Sequence, residues 1–388
     1  LLFTHRFFWP DTPPYALMLR DIAAAFAEDG HDVHVFASRP SYRDGTAGGN
    51  DTEHLDLEIT RCFAFQGEKK NPAKRIANVI LYCLALMWRI LRLRPDIVTA
   101  STFPPVAAAW CASLAAKIVG AKFIYHMQDI HPEVSVYSGG IMGRGLVRRV
   151  FTWLDNQTLR RSAAIIVLSQ DMAETLENRG IGALPVQVIN NFDLSSSEAS
   201  DPVEVAAFAK EETKVRAIFA GNLGRFQDLP ELAEGVATCF DRHPNLELMF
   251  LGSGNAEQEL KAKWGDHPQV VFAPFMPFAQ AKHLISGADI GLVSLSPDLY
   301  RVAYPSKVLT YLGLGLKVLA VVEPHSALAN ELSSKGIGVV PTDRTPAAIS
   351  RALETFLTDQ TQKEKVAVAN PYTRKATIDH WKTLVGSI

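Results

Sequence analysis

Twice along this chain, apolar runs of strand length alternate with segments of helical period, and that rhythm constrains the fold more than any other feature. Leu1 to Thr4 reads as the end of a strand. After a loop rich in aromatics and proline, Ala16, Leu19, Ile22, Ala23 and Phe26 recur at helical spacing and stop at Gly30. HDVHVFAS then supplies a second strand. A strand, a helix and a strand with short joints form a βαβ unit, which means a parallel sheet. Strand signals return at DIVTAS (96–101), Lys122–Met127, Ala163–Leu168 and from Val186, with helices expected over Pro105–Val119 and from Ser169 to Asn178. SSSEASDP and the acidic stretch up to Lys214 break the rhythm and read as a linker. Val215–Ala220 restarts it, followed by a helix over Pro230–Phe240, strands at Leu246–Leu251 and Val270–Phe272, a helix over Pro277–Ser286 and a strand at Asp289–Leu295. The expectation is α/β: two doubly wound domains, 1–195 and 196–370, with a C-terminal helix in 371–388 packing back on the first. A chain of 388 residues suffices for two separate cores.

Composition excludes several classes. A net charge of −2 provides no global field for nucleic acid. Cys62, Cys83, Cys111 and Cys239 lie far apart without a CxxC pair, which argues against a zinc knuckle or a disulfide framework and suits a reducing cytosol. No His, Cys or carboxylate grouping has metal-ligand spacing. Asp56 and Glu58 in EHLDLEIT read as a strand face, so no essential metal is expected. The chain opens on LLFTHRFFWPD, with no initiator Met and no signal-peptide pattern, as if the first strand began a few residues earlier.

Residues 69–94 form a separate problem. Their apolar centre of about a dozen residues is too short for a hydrocarbon core of ~30 Å. It is flanked by Lys69, Lys70, Lys74, Arg75, Arg89, Arg92 and Arg94. A core helix with a basic solvated end and a helix lying on an anionic membrane both fit. Arg144, Arg148, Arg149, Arg160 and Arg161 form a second basic cluster, which favours the membrane.

Three stretches carry candidate chemistry. In YPSKVLTYLGLGLKVLAVVE (304–323), Pro305 stops any helix from upstream and Ser306 stands at an N-cap position. Leu309 and Leu312 give an apolar side, glycines end the helix, and an apolar strand follows. Ser306 and Lys307 at such a helix start make an anion seat. Gly221-Asn222-Leu223-Gly224-Arg225 follows a strand; its glycines let a phosphate approach the backbone and Arg225 offers a guanidinium fork. Just past the Lys122–Met127 strand comes Gln128-Asp129-Ile130-His131-Pro132-Glu133, and the ends of parallel strands are where open α/β sheets place ligands. His126, Asp129, His131 and Glu133 are four titratable groups within eight residues; some have structural uses, such as Asp129 or Glu133 capping the next helix and His126 pointing into the core. GSGNAE lacks the third glycine of a dinucleotide fingerprint and has Glu257 in its place, which speaks against a nicotinamide enzyme.

In order and spacing, FFWPDTPP, GHDVHVFAS, VINNFD, GNLGRFQDL, LGSGNAEQEL, VVFAPFMP and AYPSKVLTYLGLG resemble a GT-B glycosyltransferase of the retaining family 4 type, like bacterial enzymes of exopolysaccharide, O-antigen and colanic-acid assembly. The resemblance spans nearly the whole chain. It implies two Rossmann-like domains facing a cleft, the first for an acceptor and the second for a nucleotide sugar. The donor is a UDP- or GDP-sugar bound as substrate, with no cofactor, and the acceptor is lipid-linked or an oligosaccharide. It places Gly221, Asn222, Gly224, Arg225, Ser306 and Lys307 on the diphosphate, Phe275 and Met276 near the base, and Thr310 at the ribose. Asp129, Gln128, His131 and Glu133 are the catalytic candidates, with Asp129 contacting the acceptor hydroxyl or the sugar. Transfer with retention is what the family implies, in a cytoplasmic protein open to peripheral contact with the anionic inner membrane.

Four positions depart from the family pattern. Thr310 and Val302 replace a pair of glutamates, Gln227 replaces a lysine after the glycine loop, and Gln128 replaces a histidine. Glu323 and Glu331 are nearby carboxylates of unassigned position. These departures keep two alternatives open: a non-catalytic partner or sugar-binding subunit of the same fold, and an epimerase-like enzyme acting on nucleotide sugars.

Overall fold

The computed structural model describes residues 1–11, 13–40, 57–67, 71–137, 139–194, 205–358 and 372–388. The expected linker at 195–202, and also Asp56, Lys69 and Lys70, lie outside the described residues. The chain divides into two compact units, Leu1–Phe192 with Arg374–Ile388, and Asp193–Thr373.

Unit 1 begins with β1 (Leu2–Thr4), α1 (Pro14–Glu28), β2 (His34–Ser38) and β3 (Glu58–Cys62). It continues through α2 (Pro72–Leu93), β4 (Ile97–Ser101), α3 (Ala107–Val119), β5 (Lys122–His126), α4 (Glu133–Tyr137) and α5 (Gly145–Arg161). The last elements before the second unit are β6 (Ala164–Val167), α6 (Gln170–Glu177) and β7 (Val186–Val188). All seven strands are parallel in the order β3-β2-β1-β4-β5-β6-β7. Right-handed crossovers put α2, α3 and α5 on one side of this sheet, with α3 touching both of its neighbours. The spacing read in α1 faces the core, since Ala16, Leu19, Ile22, Ala23 and Phe26 are all buried.

Helix α2 lies within the 69–94 stretch, but its apolar part extends further than the dozen residues expected. Its 22 residues are apolar enough to cross a bilayer by length and composition, so the short apolar centre expected above is corrected. Asn71 starts it by accepting from the backbone N–H groups of Ala73 and Lys74, which leaves Lys74 and Arg75 inside the first turn.

Unit 2 contains β8 (Val215–Ala220), α7 (Leu229–Ala237), β9 (Leu246–Leu251), α8 (Glu257–Trp264), β10 (Val270–Ala273) and α9 (Phe278–Ser286). Next come β11 (Ile290–Ser294), α10 (Lys307–Gly313), β12 (Lys317–Val321), α11 (Ala327–Ser334), β13 (Gly338–Val339) and α12 (Pro346–Thr358). The sheet is again parallel, ordered β10-β9-β8-β11-β12-β13. β9 and β11 are buried throughout, as sheets covered by helices on both faces require. The core gathers Phe219, Leu232, Leu248, Phe250, Leu292 and Leu319.

Helix α13 (Arg374–Ser387) belongs to unit 1. Trp381 is buried against Phe3 and His126, and Arg374 and Lys382 pair with Asp21 and Asp29.

Candidate functional site

In unit 2 the strand order reverses at β8. The space beyond the carboxyl ends of β8 and β11 is thus the switch point at which a doubly wound sheet takes its ligand. Gly221–Arg225 leaves β8 there, and the segment after β11 returns there to begin α10.

Lys307 is the distinctive group at this point. A Cβ placed on Gly221 would lie 3.8 Å from Lys307 Cε and 3.9 Å from Nζ, so the amine rests against the glycine backbone. Nζ also sits 3.4 Å from the centroid of the Phe219 ring. It is shielded from solvent and makes no hydrogen bond among the described residues. Burial lowers its pKa from 10.5 to about 7, because removing an ammonium from water disfavours its charged form. A cation–π contact recovers only part of that cost, and the amine's N–H groups remain unused beside the loop. An incoming anion would satisfy them.

Two neighbours hold this arrangement. The Tyr311 hydroxyl, one turn into α10, accepts from the backbone N–H of Ala220 at 2.8 Å, and its ring lies against Gly291. The second glycine loop is a brace. Gly252 (φ +139°) passes so close that a Cβ there would fall 1.9 Å from the Gly221 carbonyl oxygen. Leu223 donates its N–H to Ser253 at 3.0 Å, and Ala256 donates to the Leu223 carbonyl at 2.9 Å. GSGNAE, set aside above as a dinucleotide fingerprint, thereby acquires a structural use: it presses the 221–224 loop into place.

The other expected donor-site residues distribute around this point. Ser306 occupies the N-cap position of α10, but its hydroxyl makes no capping bond and is exposed. Its backbone is helical, whereas a capping serine ordinarily has an extended one. With seven residues α10 has little dipole to contribute, so the Lys307 side chain is the stronger source of charge. Asn222 is exposed and folds back between Gly224 and Gly254. Gly224 donates its N–H to Gln227 Oε1 at 3.3 Å, so that amide is satisfied within the loop. Arg225 opens a short 3₁₀ turn, and its side chain lies outside the described parts. Phe275, about half exposed, and Met276 follow β10, two strands or roughly 10 Å from β8.

Thr310 is half-buried on α10. Of the two nearby glutamates, Glu331 is committed to Lys335 and to the Tyr372 hydroxyl. Glu323 lies two residues past β12, where one oxygen accepts from Asp298 N–H at 3.0 Å and Arg344 Nη2 at 3.1 Å. Its other oxygen is buried without a hydrogen bond among the described residues.

In unit 1 the candidates past β5 separate into two groups. Gln128 joins a polar relay: its amide nitrogen lies 2.9 Å from His126 Nε2, and Tyr15 lies 2.9 Å from His126 Nδ1. Asn191 donates to Gln128 Oε1 at 2.7 Å. His126 is buried, and desolvation lowers its pKa to about 3, with His5 adding to the effect; it is a neutral ring. Asp129 is half-buried, and desolvation raises its carboxyl to about 6. His131 and Glu133 face a different partner, Arg179. Its guanidinium binds both Glu133 oxygens at 2.9 and 2.7 Å, the His131 carbonyl at 2.9 Å and Asp155 at 2.6 Å. Tyr125 completes the cluster by donating to Asp155 at 3.0 Å. Glu133 thus braces the scaffold, while His131, lowered to about 4 chiefly by burial, keeps a buried Nδ1 without a hydrogen-bond partner among the described residues. Sequence reasoning passed over Arg179, Tyr15, Asn191 and Tyr311, whose partners all lie far away in the chain.

Residues 15–191, most of unit 1, match a glycosyl transferase 4-like domain. A probable glycosyltransferase of Pseudomonas aeruginosa, WbjE, is 22% identical over 307 residues, covering 76% of this chain and 74% of its own. The crystal structure of Anabaena HepE in complex with UDP and glucose superposes with a TM-score of 0.68 at 16% identity, covering 100% of this chain and 99% of that one. WaaG, a glycosyltransferase involved in lipopolysaccharide biosynthesis, gives a TM-score of 0.64 at 14% identity over 98% of this chain and 95% of its own. The fold is GT-B. Over residues 15–191 the chain is similar to glycosyltransferases of the 4-like type, and WbjE extends that similarity to 76% of the chain.

Proposed function

We propose that the protein transfers a hexose from a nucleotide-sugar donor, a UDP- or GDP-sugar, to a lipid-linked or polysaccharide acceptor, with retention and without a metal or cofactor. It acts in the cytoplasm at the inner membrane face, in the synthesis of a cell-surface polysaccharide. The observation carrying this reading is the buried, unpartnered Lys307 amine against Gly221 at the switch point of unit 2. As the bond between the sugar C1 and the diphosphate breaks, negative charge grows on the leaving oxygen. A preorganised cation in a water-poor site stabilises that charge more in the transition state than in the ground state. Lys307 takes the diphosphate, Ser306 and Arg225 flank it, and the Phe275 and Met276 segment receives the base. In unit 1, Asp129 contacts the acceptor hydroxyl, next in the chain to the Gln128–His126 relay. HepE, crystallised with UDP and with UDP-glucose, supports a uridine donor.

Thr310, where a carboxylate would hold the ribose, favours a second reading, a nucleotide-binding subunit without turnover. Incubating the pure protein with UDP-, GDP- and dTDP-sugars separates the two. Slow release of one nucleoside diphosphate, lost in Lys307→Met, supports the transferase; tight binding with no release under any acceptor supports the subunit.

A further inference from the structure

Helix α2 carries two apolar rows. Tyr82, Leu86 and Ile90 are buried, whereas Ile76, Ile80, Leu84 and Trp88 are 62%, 53%, 61% and 67% exposed. At 3.6 residues per turn these rows lie roughly 160° apart, so the second is directed away from the sheet. The helix has no acidic residue, and exposed Lys74, Arg75 and Arg92 stand at its ends. Helix α5, across α3 on the same side of unit 1, repeats the pattern. Leu146, Val150 and Trp153 are 73%, 45% and 57% exposed, opposite buried Asp155, Thr158 and Leu159. Exposed Arg149 and Arg160 border this row, and the single acidic residue of the helix, Asp155, is buried against Arg179.

Scattered exposed apolar residues are ordinary, but parallel rows on two helices of one face are not. A second copy of the chain is a poor occupant. In a two-fold contact the same patch meets itself, and here cations would meet cations. The chain as a whole carries −2, so the positive charge is local to this face. An anionic bilayer satisfies both features, receiving the apolar row at the acyl boundary and the cations at phosphate level. Although α2 is long enough to cross a membrane, it is tied beside the sheet. Arg89 pairs with Glu58 at 2.6 Å, and Asn78 exchanges two hydrogen bonds with the Phe65 backbone at 2.7 and 3.0 Å. A helix so anchored lies in the interface plane.

We infer that the α2–α5 face of unit 1 docks on the surface of an anionic lipid bilayer, with Trp88 and Trp153 at headgroup level. The inference rests on the reading of a lipid-associated acceptor, and it names the surface that reaches it.

The test is flotation of the full chain with vesicles of phosphatidylglycerol and phosphatidylethanolamine, against pure phosphatidylcholine. Binding is expected to the first only, weakening as salt rises, with Arg149→Gln lowering partitioning roughly five-fold. Leu84→Glu with Val150→Glu should abolish flotation while UDP binding in solution stays unchanged, which reports that unit 2 is intact. Brominated lipid should quench Trp88 and Trp153, and the quenching should disappear in Trp88→Phe/Trp153→Phe. Equal flotation by wild type and the double glutamate variant would overturn the proposal. So would no flotation on anionic vesicles, or a wild-type dimer that the same variant converts to monomer. Loss of UDP binding in wild type would instead count against the donor site alone.

Discussion

If the Lys307 amine is largely neutral in the free protein, binding a nucleoside diphosphate must draw a proton from solution. With the amine at about 7, roughly one-tenth is protonated at pH 8, so restoring the charge beside a diphosphate takes up roughly 0.9 proton. At pH 7 the uptake falls to roughly 0.5. The complex holds more protons than its parts, so affinity declines as pH rises above about 7. The decline approaches tenfold per pH unit until the pKa of the complex is reached. At pH 8 the terminal phosphate of UDP is already ionised and adds little. Calorimetric titration of UDP at pH 8 in buffers of different ionisation enthalpy reads the uptake directly. Wild type should show it, and Lys307→Met should bind more weakly with none. The same amine affects the apo fold. Its lowering from 10.5 to about 7 corresponds to an upper limit of about 5 kcal/mol against the charged form. The unfolded chain keeps the proton up to 10.5 and the folded chain only to about 7, so stability rises with pH across that window and the full cost is present below it. Lys307→Met should therefore melt higher than wild type at pH 6, the gap closing toward pH 10. Zero proton uptake in wild type, or equal uptake in both proteins, would refute the reasoning.

Three further outcomes follow from the geometry. Gly252→Ala puts a methyl 1.9 Å from the Gly221 carbonyl at a backbone angle that favours glycine. It should cost roughly 1–3 kcal/mol in denaturant titrations and weaken UDP binding, and a neutral effect on both would remove the brace. Arg179→Met leaves Glu133 and Asp155 buried without their cation, which should destabilise unit 1 by roughly 3–5 kcal/mol while UDP affinity holds; a loss below 1 kcal/mol (about a fivefold change in the unfolding constant) would contradict the scaffold role. Asp129 is raised from 3.8 to about 6, so the fold favours its protonated form, and the stability this confers below 3.8 is lost as pH climbs through 6. Asp129→Asn should thus be more stable than wild type at pH 7, and it should lose an acidic limb near pH 6 in the rate of transfer; an unchanged limb would assign it to another group.

The sheets were legible because buried parallel strands are written as mostly apolar runs, as β8, β9, β11 and β12 are, and the charges inside β8 and β9, Arg216 and Glu247, pair with each other. Lys307 and the 221–224 loop stood out in the sequence as candidate phosphate contacts, and the fold brings the amine against Gly221. What could not be read was partnership at a distance. Nothing near Tyr311 in the chain announces Ala220, and Arg179 gives no sign of the carboxylates at 133 and 155 that it holds. The burial of Lys307, which makes its chemistry distinctive, depends on Phe219 from a different strand. Helix α2 was mismeasured for another reason: Arg89 and Arg92 read as the end of an apolar centre, yet helical geometry places Arg89 on the side that meets Glu58 and lets the helix run on.

A crystal structure with UDP bound tests the central claim most directly. The account predicts a phosphate oxygen within hydrogen-bond reach of Lys307 Nζ, roughly 2.7–3.2 Å, lying over Gly221. A diphosphate held elsewhere, with the amine still packed unpaired on Phe219, would contradict it.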